Sequence, residues 1–146
     1  MRAAVSLLVL AGCFYAPNSY HGAVSAFSGK RVPLGCLDLA VGLTDDERAP
    51  GTIVEYSFGN SCLHAVTVDL SAVRAIVYND ATPTGEVHPY DPKHELKPLR
   101  LDALWYGHER ISYQGAAGDV ICLDVGPIAG QPSQWVCLGA RVGGAT

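Results

Sequence analysis

Methionine occurs once in the chain, as the initiator, and long runs of strong helix formers are missing. That argues against a helical bundle. The one sustained apolar run near the start, residues 3–12, is about half of what a membrane-spanning helix needs. Charged residues make up only 16% of the chain, the net charge is -4, and basic residues do not cluster. Such a chain is a poor ligand for nucleic acid or an anionic lipid surface. There is no G-x-x-x-x-G-K-[ST] and no G-x-G-x-x-G, so neither phosphate cradle is present. There is no G-x-S-x-G elbow, which disfavours an α/β-hydrolase. No cysteine pair has C-x-x-C spacing, which disfavours a redox pair or a zinc ribbon. These patterns imply no cofactor.

What remains is rich in short alternating segments. Leu37, Leu39 and Val41 alternate with Asp38 and Ala40. Val54, Tyr56 and Phe58 are predicted to face a core, with Glu55 and Ser57 toward water. Val66, Val68 and Leu70 alternate with Thr67, Asp69 and Ser71, and Val73 to Tyr78 is β-branched and aromatic. Asn79 to Gly85 reads as a turn that ends that strand. Pro89, Pro92 and Pro98 make residues 86–98 a surface connection crossing between sheets. Leu99 and Leu101 resume the alternation, Gly107 and His108 mark a turn, and Ile111 to Tyr113 borders another strand. Val120 to Val125 and Trp135 to Leu138 complete the set, joined by a Gly/Pro loop. Seven or eight short strands at roughly ten-residue spacing predict an all-β, antiparallel sandwich. No N-G, D-G or G-G dipeptide lies between strands, so hairpin loops longer than two residues are expected.

The start of the chain carries an address. Arg2 is followed by an apolar stretch and then by small residues, the pattern of a secretory signal. Leu10-Ala11-Gly12-Cys13 resembles the lipobox of bacterial lipoproteins: an aliphatic residue, two small residues and a cysteine. The resemblance implies cleavage before Cys13, diacylation of its thiol and acylation of the new amino group. Two or more acyl chains hold a protein stably, at about 0.8 kcal/mol per buried CH₂. Phe14 follows the cysteine, and in lipoproteins of enteric type that implies sorting to the outer membrane. The expected organisation is a signal over 1–12, a lipidated tether over 13–32 carrying an edge strand near its end, a β-domain over 33–142 and a tail over 143–146.

Beyond Cys13, four cysteines remain: Cys36, Cys62, Cys122 and Cys137. In an exported chain an even number suggests two disulfides, with three connectivities possible. The pairing Cys36–Cys62 and Cys122–Cys137 is favoured. Cys122 and Cys137 lie in successive apolar runs joined by one turn, so they can face each other. Each bridge is worth about 3 kcal/mol if the geometry allows it.

The segment Gly51 to Tyr113 also resembles the immunoglobulin-like domains of small bacterial lipoproteins. The carrying features are Val54-Glu55-Tyr56-Ser57-Phe58 running into Asn60, and the later stretch with Gly107-His108-Glu109. The resemblance implies an immunoglobulin-like antiparallel β-sandwich outside the cytoplasm and carries over no catalytic residues. No tryptophan lies between Cys36 and Cys62, so the antibody-type arrangement is missing.

Three groups of residues bear on function. His88, His94 and His108, with Asp91 and Glu95 nearby, have the chemistry of zinc ligands, but their spacing fits no converging helical or strand pair. They support an alternative reading as an envelope enzyme or metal-binding protein. Trp105 and Tyr106, with Tyr90 across the long connection, are candidate rim aromatics for gripping a partner; core filling is the alternative for Trp105. The leading expectation is a non-enzymatic, lipid-anchored envelope protein that presents loops 79–98 and 126–134 to a protein or glycan. If the histidines hold no metal, the melting temperature of the purified domain is the same with and without EDTA. A fall on chelation would favour the metal-binding alternative.

Overall fold

The computed structural model describes residues 29–44, 52–80, 82–87, 89–90, 96–113 and 120–139. Eleven extended segments run through them: β1 (Lys30–Leu34), β2 (Leu37–Thr44), β3 (Thr52–Asn60), β4 (Val66–Val68), β5 (Arg74–Asn79), β6 (Thr82–Val87), β7 (Pro89–Tyr90), β8 (Leu99–Leu101), β9 (Tyr106–Tyr113), β10 (Val120–Asp124) and β11 (Trp135–Gly139). One sheet has the order β1-β2-β3-β9-β7, a second β11-β10-β5-β6, and β4 pairs with β8 in a small ladder. Every pairing is antiparallel. The all-β antiparallel sandwich expected from the alternation is the architecture that forms.

The core lies between the two sheets. Leu39, Val41, Val54, Tyr56, Phe58 and Ile111 point into it from one side, and Ala75, Val77, Ile121, Leu123, Val136 and Leu138 from the other. Burying each large side chain contributes about 1.5–3 kcal/mol. Register keeps the faces apart: Leu39 sits opposite Phe58 and Val41 opposite Tyr56, while Cys122 and Asp124 fall on the outer face of their sheet. Ser57 lies on the outer face as its alternation requires, yet it is buried rather than wet.

Several boundaries differ from the sequence expectation, each for a local reason. β1 starts at Lys30, so the edge strand expected near the end of the tether belongs to the sheet from that residue. The β1–β2 hairpin has a two-residue loop, Gly35-Cys36, and β5 and β6 close across Asn79 and Thr82. The expectation of longer hairpin loops is therefore overturned. Gly35 has φ 65°, and Gly-x at the first central position makes a tight turn as well as Asn-Gly does. Asp80 takes the left-handed region at φ 46°, where Asp is tolerated.

The turn expected over residues 79–85 gives way to β6. An edge strand tolerates Pro83 and Gly85, and the register shifts beside them between Val77 and Tyr78. The turn expected at Gly107-His108 is strand as well. Gly107 pairs with Phe58, and a Cβ on Gly107 would come within 2.6 Å of the Phe58 ring, so this glycine makes room for packing.

Two tyrosines meet inside the core. The hydroxyls of Tyr56 and Tyr113 share a hydrogen bond of 2.5 Å. Burial pushes both phenols above their ordinary range, and for Tyr56 the neighbouring Tyr113 adds to the effect. The folded state thus holds protons that the unfolded chain releases above about pH 10. Stability should be flat in pH until the unfolded tyrosines begin to ionise and should fall as pH rises further, by up to about 1.4 kcal/mol per pH unit for each phenol. Urea melts between pH 8 and 11.5 check this, and Tyr56→Phe should make the fall shallower.

Candidate functional site

One end of the sandwich is built differently from the other. Asn60 closes β3 there, fully buried. Its Nδ2 donates to the carbonyls of His64 (2.8 Å), Asp102 (3.0 Å) and Leu101 (3.1 Å), and its Oδ1 accepts from the Cys62 N–H (2.8 Å). The Asn60 N–H donates to the Trp105 carbonyl at 2.8 Å. One side chain thus ties the turn after β3, the exit of β8 and the approach to β9. Asparagine suits the position because a single short side chain supplies both donors and an acceptor.

A second tie runs beside it. Cys36, exposed in the β1–β2 turn, is bridged to buried Cys62, with 5.3 Å between their Cα atoms. Ser61 donates to the Cys36 carbonyl through both its N–H (2.9 Å) and its hydroxyl (2.6 Å). A third tie comes from the loop after β10. The buried Asp124 accepts from the Ser133 hydroxyl (2.6 Å) and the Gln134 N–H (2.8 Å), which pins the loop's return. Gly126–Ala129 forms a short 3-10 turn with Pro127 near its start and Gly130 in the left-handed region at its end. Ile128 is buried, and its carbonyl accepts from the Asp69 N–H at 3.0 Å.

Between these ties lies a groove of about 580 Å³. That volume is in the range of ligand-sized sites. Its floor is apolar, with Leu34, Leu37, Val66 and Ile128, and its rim carries His64, Thr67 and Gln131. Asp69 also lines it, but the Asp69 carboxylate is already engaged by the Ser71 N–H and hydroxyl. Leu63, between the bridged Cys62 and His64, is 88% exposed. Trp105 is 54% exposed, and Leu104 before it sits at φ 60°, a conformation costly for a bulky residue. Asn60 holds the backbone on both sides of this apolar pair.

The candidate residues separate under this geometry. Trp105 projects to solvent, so the rim reading describes it better than core filling. Tyr106 opens β9, half-buried. Tyr90 lies in β7, paired with Ser112 at the far edge of its sheet, and its side chain lies outside the described residues. His108 is exposed on the outer face of β9 opposite Ser57, away from the groove. His88, His94, Asp91, Glu95 and the lipobox through Cys13 lie outside the described residues. Among the described residues no three His, Cys, Asp or Glu side chains gather as a metal site would need. Loop 126–134 lines the groove, whereas the turn after Asn79 lies at the opposite end, beside Val120. Residues 88 and 91–95 of the longer loop lie outside the described residues.

Both favoured disulfides form. Cys122 and Cys137 sit directly opposite each other, with Cα atoms 3.9 Å apart, on the outer face of the second sheet. Nearby, Arg74 lies 6.0 Å from the Trp135 ring centroid and pairs with Glu86 at 3.2 Å. Sequence reasoning missed the groove, Leu63 and His64. The one available signal was Leu63 itself, an apolar residue in the gap between the Gly59-Asn60-Ser61 turn and the strand at Val66.

No family model matches the chain, and no curated protein matches it. Among solved structures it is similar to the yjhA protein from Bacillus subtilis, with a TM-score of 0.55 and 11% identity over 77% of this chain and 97% of that one. At that identity the likeness is one of fold alone.

Replacing Asn60 by Ala removes the shared partner of four backbone groups and strands buried carbonyls. The expected loss is about 2–4 kcal/mol of stability, read from urea unfolding. Asn60→Asp should cost a similar amount, because it keeps the acceptor and loses both donors.

Proposed function

We propose that the chain is a non-enzymatic binding module of the bacterial cell envelope, exported and held to the membrane by lipid on Cys13. The observation that carries this reading is the cysteine arrangement. Cys36–Cys62 and Cys122–Cys137 account for four of the five cysteines, and the fifth is the lipobox residue. Two structural disulfides in one small domain fit an oxidising compartment. The apolar stretch ending in Leu10-Ala11-Gly12-Cys13 provides the route to it.

A binding role fits the balance of the described surface. Its largest exposed apolar side chains are Leu63, Trp105 and Trp135. Two of these three, Leu63 and Trp105, are carried on turns fixed by Asn60, and the Leu63 turn supplies Cys62 and His64 to a groove with an apolar floor. Large exposed apolar residues on rigid turns are the makings of a partner site, because little ordering entropy is lost on binding. The partner class in this reading is another envelope protein or a glycan.

Fractionation of cells expressing the full chain tests the anchor. The wild type is expected in the membrane fraction and Cys13→Ser in the soluble one. A wild-type chain that already fractionates as soluble would end the lipid-anchor reading.

A further inference from the structure

Register puts the second bridge at a distinctive place in its ladder. The Val125 N–H donates to the Gln134 carbonyl at 2.9 Å, one pair beyond Asp124 and Trp135. Hydrogen-bonded and non-hydrogen-bonded pairs alternate along an antiparallel ladder. The bonds between β10 and β11 therefore fall on Leu123–Val136 and Ile121–Leu138, and Cys122–Cys137 is the non-hydrogen-bonded pair between them. The Cys137 carbonyl has the matching direction: it turns away from β10 and accepts from the Lys30 ammonium at 2.5 Å. The two cysteines are thus joined through sulfur alone, where ladder bonds on both sides already hold the strands. The loop beyond them is closed separately, by Asp124 with Ser133 and Gln134.

At a non-hydrogen-bonded pair the Cα atoms stand about 4.5 Å apart, and here they are 3.9 Å apart. Disulfides mostly span about 5.5–6 Å between Cα atoms and seldom less than about 4.4 Å. The strand pairing sets the short spacing, so opening the S–S bond relieves crowding and breaks no ladder bond. Cys36–Cys62 differs on both counts. Its 5.3 Å lies inside the usual range. Its cysteines are not ladder partners, since Cys36 lies beside Ser61.

Access selects the sulfur. Cys137 is exposed on the edge strand β11, whereas Cys122 is 7% exposed. The exposed indole of Trp135, two residues before Cys137 on the same face, offers an apolar contact beside it. The Lys30 ammonium sets a positive charge at the Cys137 main chain, which favours a thiolate there.

We propose that Cys122–Cys137 is a thiol–disulfide exchange site, opened by a dithiol donor that attacks Cys137 Sγ, while Cys36–Cys62 stays closed as the structural bridge. The donor's thiolate bonds to Cys137 Sγ, and the S–S electron pair leaves on Cys122 Sγ, which takes up a proton. The donor's second thiol loses its proton, displaces Cys137 Sγ and closes the donor's own disulfide. Two electrons and two protons pass to the protein. The ladder keeps the sulfurs opposed, so an oxidised donor runs the same steps backwards. This site goes beyond the binding-module reading and needs neither the groove nor the anchor.

The test equilibrates the full chain in detergent with mixtures of reduced and oxidised dithiothreitol, alkylates the free thiols and maps them by mass spectrometry. Cys122 and Cys137 are expected to be half-alkylated at a reduced-to-oxidised ratio at least about tenfold lower than Cys36 and Cys62. Amide resonances of β10 and β11 should keep their native dispersion in that state. Glutathione, a monothiol, should be trapped as a mixed disulfide on Cys137. The double variant Cys122→Ser, Cys137→Ser should fold to the same spectrum. The proposal is overturned if both bridges open at one ratio, if Cys36–Cys62 opens first, or if opening melts the second sheet. Glutathione found on Cys122, or a double variant that does not fold, would overturn it as well.

Discussion

The buried amide of Asn60 is the constraint on which the working end of the molecule depends. A β-sandwich obtains its core from period-two alternation, but its ends are loops whose carbonyls and amides need partners. Here three carbonyls and one N–H from the segments around Cys62–His64 and Leu101–Asp102 meet on one side chain. A fourth carbonyl, from Trp105, meets the Asn60 main chain. Because the amide is inside the protein, water cannot take over these bonds, and losing them is expensive. This arrangement lets Leu104 stay at positive φ and leaves Leu63 and Trp105 in solvent on a firm base. Exposed apolar side chains on a soft loop would collapse onto the nearest apolar surface; on a pinned loop they stay presented.

The two disulfides divide the labour. Cys36–Cys62 joins the first hairpin to the segment leaving β3 and forms part of the groove wall. Cys122–Cys137 joins two neighbouring strands of the second sheet on the face away from the core. It sits near the outer edge, where the Lys30 ammonium reaches across from the other sheet to the Cys137 carbonyl at 2.5 Å. That contact places a charge on an exposed edge of β11, a position at which sheets otherwise recruit further strands. On the other edge of the same sheet β6 carries Pro83 and Gly85 and a register shift, which serve the same end. The two outer edges of this sheet are blunted by charge or irregularity.

Legibility in the sequence followed burial. Residues 53–58 and 120–125 read as strands because each places its apolar side chains on one face or buries nearly all of them, and they are strands. The favoured cysteine pairing was also within reach, since one turn separates Cys122 from Cys137. Glycine and proline misled where they served packing or an edge in place of a turn. Gly107 yields space to the Phe58 ring, and Pro83 sits where no ladder bond is needed. Neither reason is visible without the opposite strand. Trp105 was ambiguous because a tryptophan fits a sandwich core or a rim equally well by composition. Only the bond from Asn60 to its carbonyl, with Leu104 in the left-handed region before it, turns the indole outward.

The amino-acid order alone determined that the chain is all-β, where most of its core strands lie, and which cysteines were best placed to bridge, because alternation and short spacing are local properties. Tertiary structure decided that His108 stands away from the groove, that the turn after Asn79 lies at the opposite end of its sheet from loop 126–134, and that Leu34, Val66 and Ile128 line one groove. Those facts depend on register and on which strand lies beside which. They are set by how two sheets satisfy one core together, and no window of a few residues contains that information.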